Sequence, residues 1–320
     1  MEALLVSRLP EGKEWRYEPK WDGFRCLAFK RNTMVRLRSK SGKPLARYFP
    51  DIVSMLEKLS ARNFVIDGEL LVETENGYSF SELQMRLHPA SSRVQMLAQK
   101  QPATFVIFDI LETEKRIDTM CAPLSERRLI LEQFWKKYCS KEKAIKLSPQ
   151  TPSVTTAKKW LHSTGWYIDG IVAKRSTDVY VPGERVMQKY KLIRTADCVV
   201  GGFRYGRDSK EVGSLLLGLY DEHGHLNHVG FTSSIAKADK PSLTRKLEKL
   251  IHEPGFTGNA PGAPSRWSTE RSAQWKPLLP KIVVEVGFDH VTDNHFRHGT
   301  KLIRFRPDKS ARQCTMEQLR

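Results

Sequence analysis

The chain has 320 residues, 40% of them hydrophobic, and 53 lysines and arginines against 36 acids give a formal net charge of +17. An apolar share of that size supports real cores and excludes a disordered tail. A cationic excess spread along a folded chain points to a polyanionic partner, nucleic acid foremost. No apolar run is long enough to span a bilayer, and Met1-Glu2-Ala3-Leu4-Leu5 lacks the charged-then-apolar pattern of a secretory signal. Cys26, Cys121, Cys139, Cys198 and Cys314 contain no Cys-x-x-Cys pair, and His295 and His298 sit three apart without obvious co-ligands. These features imply a reducing, cytoplasmic, nucleoid-associated protein with no membrane contact and no structural metal.

In chain order, the first informative stretch is Glu18-Pro19-Lys20-Trp21-Asp22-Gly23-Phe24-Arg25. If it is extended, alternation puts Glu18, Lys20 and Asp22 on one face, with Pro19 and Trp21 on the other. Gly23 is expected to let the chain turn close to a ligand. A buried, unpaired ammonium is costly, so the face is either a solvated salt-bridge surface or it holds something. In the second case Lys20 is a nucleophile, since an amine attacks once deprotonated and nearby cations lower its pKa. Such an amine can attack the α-phosphorus of a nucleotide, with Arg25 neutralising phosphate charge.

Strand-like runs follow at 25–29, 35–39, 64–72, 104–111 and 170–174. Helical spacing begins at Pro50-Asp51, with Ile52, Val53, Leu56 and Leu59 on one face. Ser125 is expected to cap a helix carrying Leu129, Phe134 and Tyr138, and 153–164 reads as a helix stopped by Gly165. Irregular mixing of strands and helices predicts an α+β domain. Within 64–72, Asp67 and Glu69 share a face opposite Ile66 and Leu70, and two acids there need a metal, a hydroxyl or cations as partners. A plain salt-bridged strand satisfies them equally. Phe108, beside Asp109 in an apolar run, reads as core before it reads as a base-stacking ring. Asp169-Gly170-Ile171-Val172-Ala173-Lys174 repeats the order acid, glycine, apolar, lysine. Lys189 and Lys191 align on one face, with Tyr190 and Leu192 opposite, which suits a polyphosphate or a solvated surface.

Past about residue 195 the texture changes to strand candidates at 196–205, 214–220, 226–231, 281–289 and 301–306. A single helix, 242–252, with Leu243, Leu247, Leu250 and Ile251 on one face, falls between the third and fourth strands. That is the element order of an OB-fold β-barrel. The Gly/Pro-rich stretch 254–264 is expected to be a surface loop. A boundary near Arg194 divides the chain into domains 1–194 and 195–320.

Lys20-x-Asp22-Gly23-x-Arg25 resembles motif I of the covalent nucleotidyltransferases, which include DNA ligases, RNA ligases and mRNA capping enzymes. The segments around Asp67–Glu69, Phe108, Asp169 and Lys189–Lys191 resemble motifs III, IIIa, IV and V, in order. Arg304-Phe305-Arg306-Pro307-Asp308-Lys309 resembles motif VI. The series covers almost the whole chain. Stretches 17–26, 39–44, 48–50, 80–89 and 305–319 are further similar to the short bacterial ATP-dependent ligases of the ligase C type, and to the ligase domain of ligase D.

The resemblance implies a nucleotidyltransferase (adenylation) domain followed by an OB domain, ATP with Mg2+ or Mn2+, and nicked duplex DNA as substrate. It implies a repair role as a monomer, with room for a repair polymerase as partner. By resemblance Lys20 takes the adenylate, supported by Asp22, while Glu18 reads the adenine amino group and Phe108 stacks on the ring. Glu69 contacts the ribose and Asp169 binds the divalent metal, with Glu69 a second metal candidate. Arg25, Lys189 and Lys191 hold phosphates. Arg306, Asp308 and Lys309 orient the pyrophosphate, which requires the OB domain to swing on a hinge at 192–196. Two positions depart from the family pattern: Asp169 replaces the usual glutamate, and Lys40 an arginine that would grip phosphate bidentately. An RNA ligase or capping-type guanylyltransferase, and a non-catalytic basic OB-fold DNA-binding protein, remain the alternatives.

Overall fold

A computed structural model describes residues 1–75, 77–162, 168–262 and 274–319. The chain divides into two compact units, Met1–Leu192 and Ile193–Arg320.

The first unit runs β1 (Ala3–Val6), β2 (Trp15–Trp21), β3 (Phe24–Arg31), β4 (Met34–Ser39), α1 (Pro50–Lys58), β5 (Asn63–Thr74), the short β6 (Gly77–Tyr78), α2 (Phe80–Met85), α3 (Ser91–Lys100), β7 (Ala103–Glu112), α4 (Leu124–Phe134), β8 (Ile145–Leu147), α5 (Val154–Trp160), β9 (Ile168–Arg175) and β10 (Met187–Tyr190). The strands form two sheets, ordered β4-β3-β5-β7-β8 and β1-β10-β9-β2. Alternation along β3 and β5 sends Cys26, Ala28, Phe64, Ile66 and Leu70 into a core with Ile52 and Leu56 of α1 and with Leu131 and Phe134 of α4. The opposite face is left for the smaller sheet. Val65 and Leu111 there pack with Met187 and Tyr180, and Leu71 and Val106 pack with Trp21.

Only Asp22 and Gly23 separate β2 in one sheet from β3 in the other. Gly23 does not have a positive φ, so the expected ligand-hugging turn is not its reason. A Cβ there would overlap the Leu70 carbonyl oxygen and the Leu71 side chain. The glycine is needed because the chain crosses against β5.

One helix start differs from the sequence reading and another agrees with it. α4 begins after Pro123, with no side-chain cap. The Ser125 amide instead donates to the Ser176 carbonyl at 2.9 Å, and Leu129 is 59% exposed. The extended backbone of Pro123 sets the helix phase, burying Leu124, Arg127, Leu131 and Phe134. The turn then widens through Trp135–Cys139, which brings the Tyr138 ring within 5.1 Å of Phe134. α5 is capped by Ser153, whose Oγ accepts from the Thr156 amide at 3.2 Å. Gly165, its expected stop, lies outside the described residues.

The second unit runs β11 (Arg194–Tyr205), β12 (Val212–Tyr220), β13 (Leu226–Thr232), α6 (Lys240–Glu248), β14 (Lys276–Pro277), β15 (Val283–Phe288), β16 (Val291–Thr292), β17 (His295–Phe296) and β18 (Lys301–Phe305). Its main sheet has the order β13-β12-β11-β15-β18. A parallel bridge between Thr232 and Thr300 brings the ends together, with the Thr300 amide donating to the Phe231 carbonyl at 3.1 Å. Five long strands close in this way into an OB-fold barrel, with α6 between the third and fourth. Leu243 and Leu247 of α6 are buried in its core. The helix starts and stops earlier than its sequence pattern, and Ile251 is 42% exposed beyond it. The Gly/Pro-rich stretch forms no regular element over its described part, 254–262. Among the described residues, no helix is long and apolar enough to cross a membrane.

Candidate active site

Antiparallel pairing of β2 with β9 sets Lys20 opposite Gly170 and Glu18 opposite Val172, with a bulge just after Lys20. Gly170 has φ +150°, and a Cβ there would overlap the Tyr190 carbonyl oxygen, so β10 can close tightly on β9. The Lys20 ammonium bonds Oδ2 of Asp169, and Lys191 Nζ lies 3.0 Å from the same oxygen. Burial would raise the Asp169 carboxyl, but the charges and hydrogen bonds of Lys20 and Lys191 hold it below the usual range. Its other oxygen, Oδ1, is buried and has no hydrogen-bond partner among the described residues. Lys189 is pulled below an ordinary lysine, chiefly by burial and then by the cations Lys20, Lys191 and Lys40.

The facing wall comes from the larger sheet, where Arg25 of β3 stands opposite Glu69 of β5. Arg25 makes a bidentate pair with Asp67, at 2.7 Å from Nη2 and 3.1 Å from Nε. Tyr180 adds a third bond to Asp67, its hydroxyl donating at 2.8 Å. Asp67 and Glu69 do share a face opposite Ile66 and Leu70, and the partner of Asp67 is Arg25. Glu69 is pushed up to about 8 by burial, against the lowering pull of Lys20 and Arg25. Phe108 on β7 turns its ring toward cations, with Lys174 Nζ 4.8 Å and Arg25 Cζ 5.9 Å from the centroid.

Glu18 is buried and doubly bonded. Lys174 Nζ reaches its Oε2 at 2.6 Å, and Gln150 Nε2 donates to Oε1 at 2.9 Å. Lys174, Gln150 and Tyr180 are site residues to which the sequence reading gave no role. Lys174 carried a signal, since it closes the acid-glycine-apolar-lysine run; Gln150 carried none.

Glu18, Lys20, Arg25, Lys40, Glu69, Phe108, Lys174 and Lys189 line one cleft of about 240 Å³. Asp169 and Lys191 join it through Lys20. Asp22, at the sheet crossover, adds negative charge beside Glu69. The cleft presents a lysine amine, an aromatic face, an anion pair and several cations, a set suited to a nucleoside polyphosphate. Among the described residues, no group of three or more His, Cys, Asp or Glu gathers to hold a metal ion.

Arg306, Asp308 and Lys309 form their own cluster in the second unit, just past β18. Arg306 Nη1 bonds Asp197 at 2.9 Å, and Lys309 Nζ bonds the same carboxylate at 2.7 Å. The Arg306 guanidinium also pairs with Asp308 at 2.9 Å, and this hydrogen bonding lowers Asp308 to about 2. Arg304 pairs with Glu285 at 2.6 Å. Asp197, the anchor of the cluster, lies on β11, far from the motif in sequence.

Comparison with known proteins identifies the family. The family model described as the ATP dependent DNA ligase domain matches residues 5–192, and the ATP dependent DNA ligase C terminal region matches 208–309. DNA ligase C2 of Mycolicibacterium smegmatis is 39% identical over all of this chain and 93% of its own length. DNA ligase C of Mycobacterium tuberculosis is 38% identical over all of this chain and 92% of its own length. A solved structure from a structure–function study of Lig E DNA ligases superposes with a TM-score of 0.60. That pair covers 96% of this chain and all of the other at 15% identity, a likeness of fold. The resemblance read from the motif series is borne out, and the chain belongs to the ATP-dependent DNA ligases.

Proposed function

We propose that this enzyme seals nicks in duplex DNA in three steps that begin at Lys20. The Lys20 amine attacks the α-phosphorus of ATP, forming an N–P bond as the bond to pyrophosphate breaks. The 5′-phosphate at the nick then takes the adenylate from Lys20. Finally the 3′-hydroxyl attacks that activated phosphate, closing the strand and expelling AMP. Each step is in-line substitution at phosphorus, so the enzyme's task is to align groups and spread negative charge over cations. Arg25, Lys189 and Lys191 are the cations for phosphate oxygens, and Phe108 is the ring for the base. Glu18 recognises the adenine edge, though its present bonds to Lys174 and Gln150 must be shared with the base.

The residues fit a divalent cation. Among the described residues Asp169 has a buried oxygen without a hydrogen-bond partner, and the Glu69 carboxyl, pushed up by burial, would be drawn to its charged form by a cation beside it. These two carboxylates would hold Mg2+ or Mn2+, which when bound supplies positive charge to the polyphosphate. Arg306, Asp308 and Lys309 serve the departing pyrophosphate.

The observation that carries this reading is the position of Lys20 in a cleft that also gathers Arg25, Glu69, Phe108 and Lys189. Lys20→Ala is expected to abolish the covalent band formed with labelled ATP and the sealing of an ordinary nick. Closure of a pre-adenylated nick, which bypasses lysine attack, should partly survive. A normal covalent band from the alanine variant would overturn the assignment.

A further inference from the structure

We propose that Arg36 and Arg38, flanked by Arg31, form a phosphate track for the DNA strand whose 5′-phosphate enters the cleft. This rests on the ligase reading above and adds where the first unit grips its substrate.

The register of the larger sheet places the track. Leu27, Phe29 and Arg31 of β3 stand opposite Arg38, Arg36 and Met34 of β4. Directly opposed residues share a face of the sheet, and alternation puts Arg25 on that face of β3 as well. Continuing β4 by the same alternation reaches Lys40, which lines the nucleotide cleft together with Arg25. The face that builds the cleft therefore runs outward along the sheet's edge strand, carrying Lys40, Arg38 and Arg36 at every second position. Successive cations lie about 6.7 Å apart at ordinary strand rise, which is of the order of the gap between neighbouring phosphates on a nucleic-acid strand. A hollow of about 460 Å³ is lined by Phe29, Arg31, Met34, Arg36 and Arg38. Its lining thus mixes apolar Phe29 and Met34 with three arginines, and such apolar surface can take the sugar edge of a backbone.

The arginines are available for phosphate. Among the described residues, the Arg36 side chain bonds only the Met34 sulfur, at 3.5 Å, and the Arg38 side chain only the Gly42 carbonyl, at 3.1 Å. Among the described residues, no ion pair is formed by either. Arg31 is partly neutralised by Glu112 at 2.5 Å, which makes it the weaker member. Charged side chains on an edge strand also guard against pairing with another chain. That role takes either sign of charge, whereas a phosphate track takes only positive charge.

The test measures binding of the full chain to a nicked duplex across a salt series, alongside lysyl-adenylate formation with labelled ATP. R36A/R38A should bind the nick roughly tenfold more weakly at moderate salt, with the slope of log affinity against log salt reduced by about 2. Adenylate formation should stay at the wild-type level, because neither side chain lines the cleft. R36K/R38K should keep both affinity and slope, and R36E/R38E should lose more than the alanine pair while remaining unaggregated. Neutral methylphosphonates at the second and third linkages of the 5′-phosphate strand should weaken the wild type and add little to R36A/R38A. Unchanged affinity and slope in R36A/R38A would overturn the track, as would equal rescue by lysine and glutamate. A wild-type chain that forms no covalent adenylate would instead bring down the ligase reading itself.

Discussion

Lys20 and Asp169 meet side chain to side chain although 149 residues separate them, because antiparallel pairing sets Lys20 against Gly170. The carboxylate holds the Lys20 ammonium through one oxygen, and among the described residues its other oxygen has no hydrogen-bond partner. Asp169→Asn keeps the shape but removes the charge that faces both Lys20 and Lys191. Lysyl-adenylate formation should fall at least about tenfold, as expected when a positioned electrostatic contact is lost. Raising Mn2+ or Mg2+ should recover part of the loss, since a weakened metal site fills at higher concentration, but not the contact with Lys20 and Lys191. Single-turnover adenylation over a metal series checks both points, and a wild-type rate at every metal concentration would remove Asp169 from the site.

The cluster around Asp197 predicts a step-specific defect. Asp308 pairs with the Arg306 guanidinium, and its side chain is 60% exposed. Asp308→Ala should cripple self-adenylation yet leave closure of a pre-adenylated nick near normal. Equal loss in both steps would show that these residues do not act on the departing pyrophosphate.

A third expectation concerns stability. Arg127 is fully buried and bonds Asp109 at 2.8 and 3.1 Å, as well as the carbonyls of Ala122 and Asp178. Arg127→Met would strand a buried carboxylate and two acceptors. Removing one partner of such a pair costs about 3–5 kcal/mol, so the urea midpoint should drop sharply without a change of slope. A shift equivalent to less than about 1 kcal/mol would mean that water replaces the guanidinium easily.

His228 gives the second unit a pH response. Burial, then the neighbouring His295 and Arg204, lowers it from its ordinary 6.5 to about 3. Between those values the unfolded chain binds a proton that the folded chain does not. Stability should therefore be full above about pH 6.5 and fall as pH drops toward 3, by at most about 1.4 kcal/mol per pH unit from this group. Thermal melts at pH 7 and pH 5 should converge in His228→Gln relative to the wild type. An unchanged gap would exclude His228 as its source.

The sequence was most legible where the pattern is local. The five barrel strands, the helix between the third and fourth, and the strands carrying Asp67, Phe108 and Asp169 all announce themselves by apolar runs. β1 and β8 were not legible, being only four and three residues long and held by pairing with partners elsewhere. α2 and α3 were missed as well, for α2 is six residues and α3 has a weakly apolar face. The expected cap at Ser125 failed because Pro123 fixes the helix start. In the site, residue types and spacing identified what lines the cleft but not what each side chain already holds. That Glu18 grips Lys174 and Gln150, or that Asp197 anchors Arg306 and Lys309, depends on contacts more than a hundred residues apart.

The crossover at Asp22 and Gly23 bears on how the motif can vary. Lys20 and Arg25 are five residues apart, yet they belong to different sheets and face one cleft. The stretch between them acts as a tether whose length sets how far the Lys20 ammonium and the Arg25 guanidinium can separate. One extra residue in that tether would have to bulge, or else reverse the faces of every side chain in β2 or β3. A longer insertion would leave each sheet intact but unhitch the two walls. Substitution can be tolerated at Trp21 or Phe24 if packing allows, but the count of residues between Lys20 and Arg25 cannot drift.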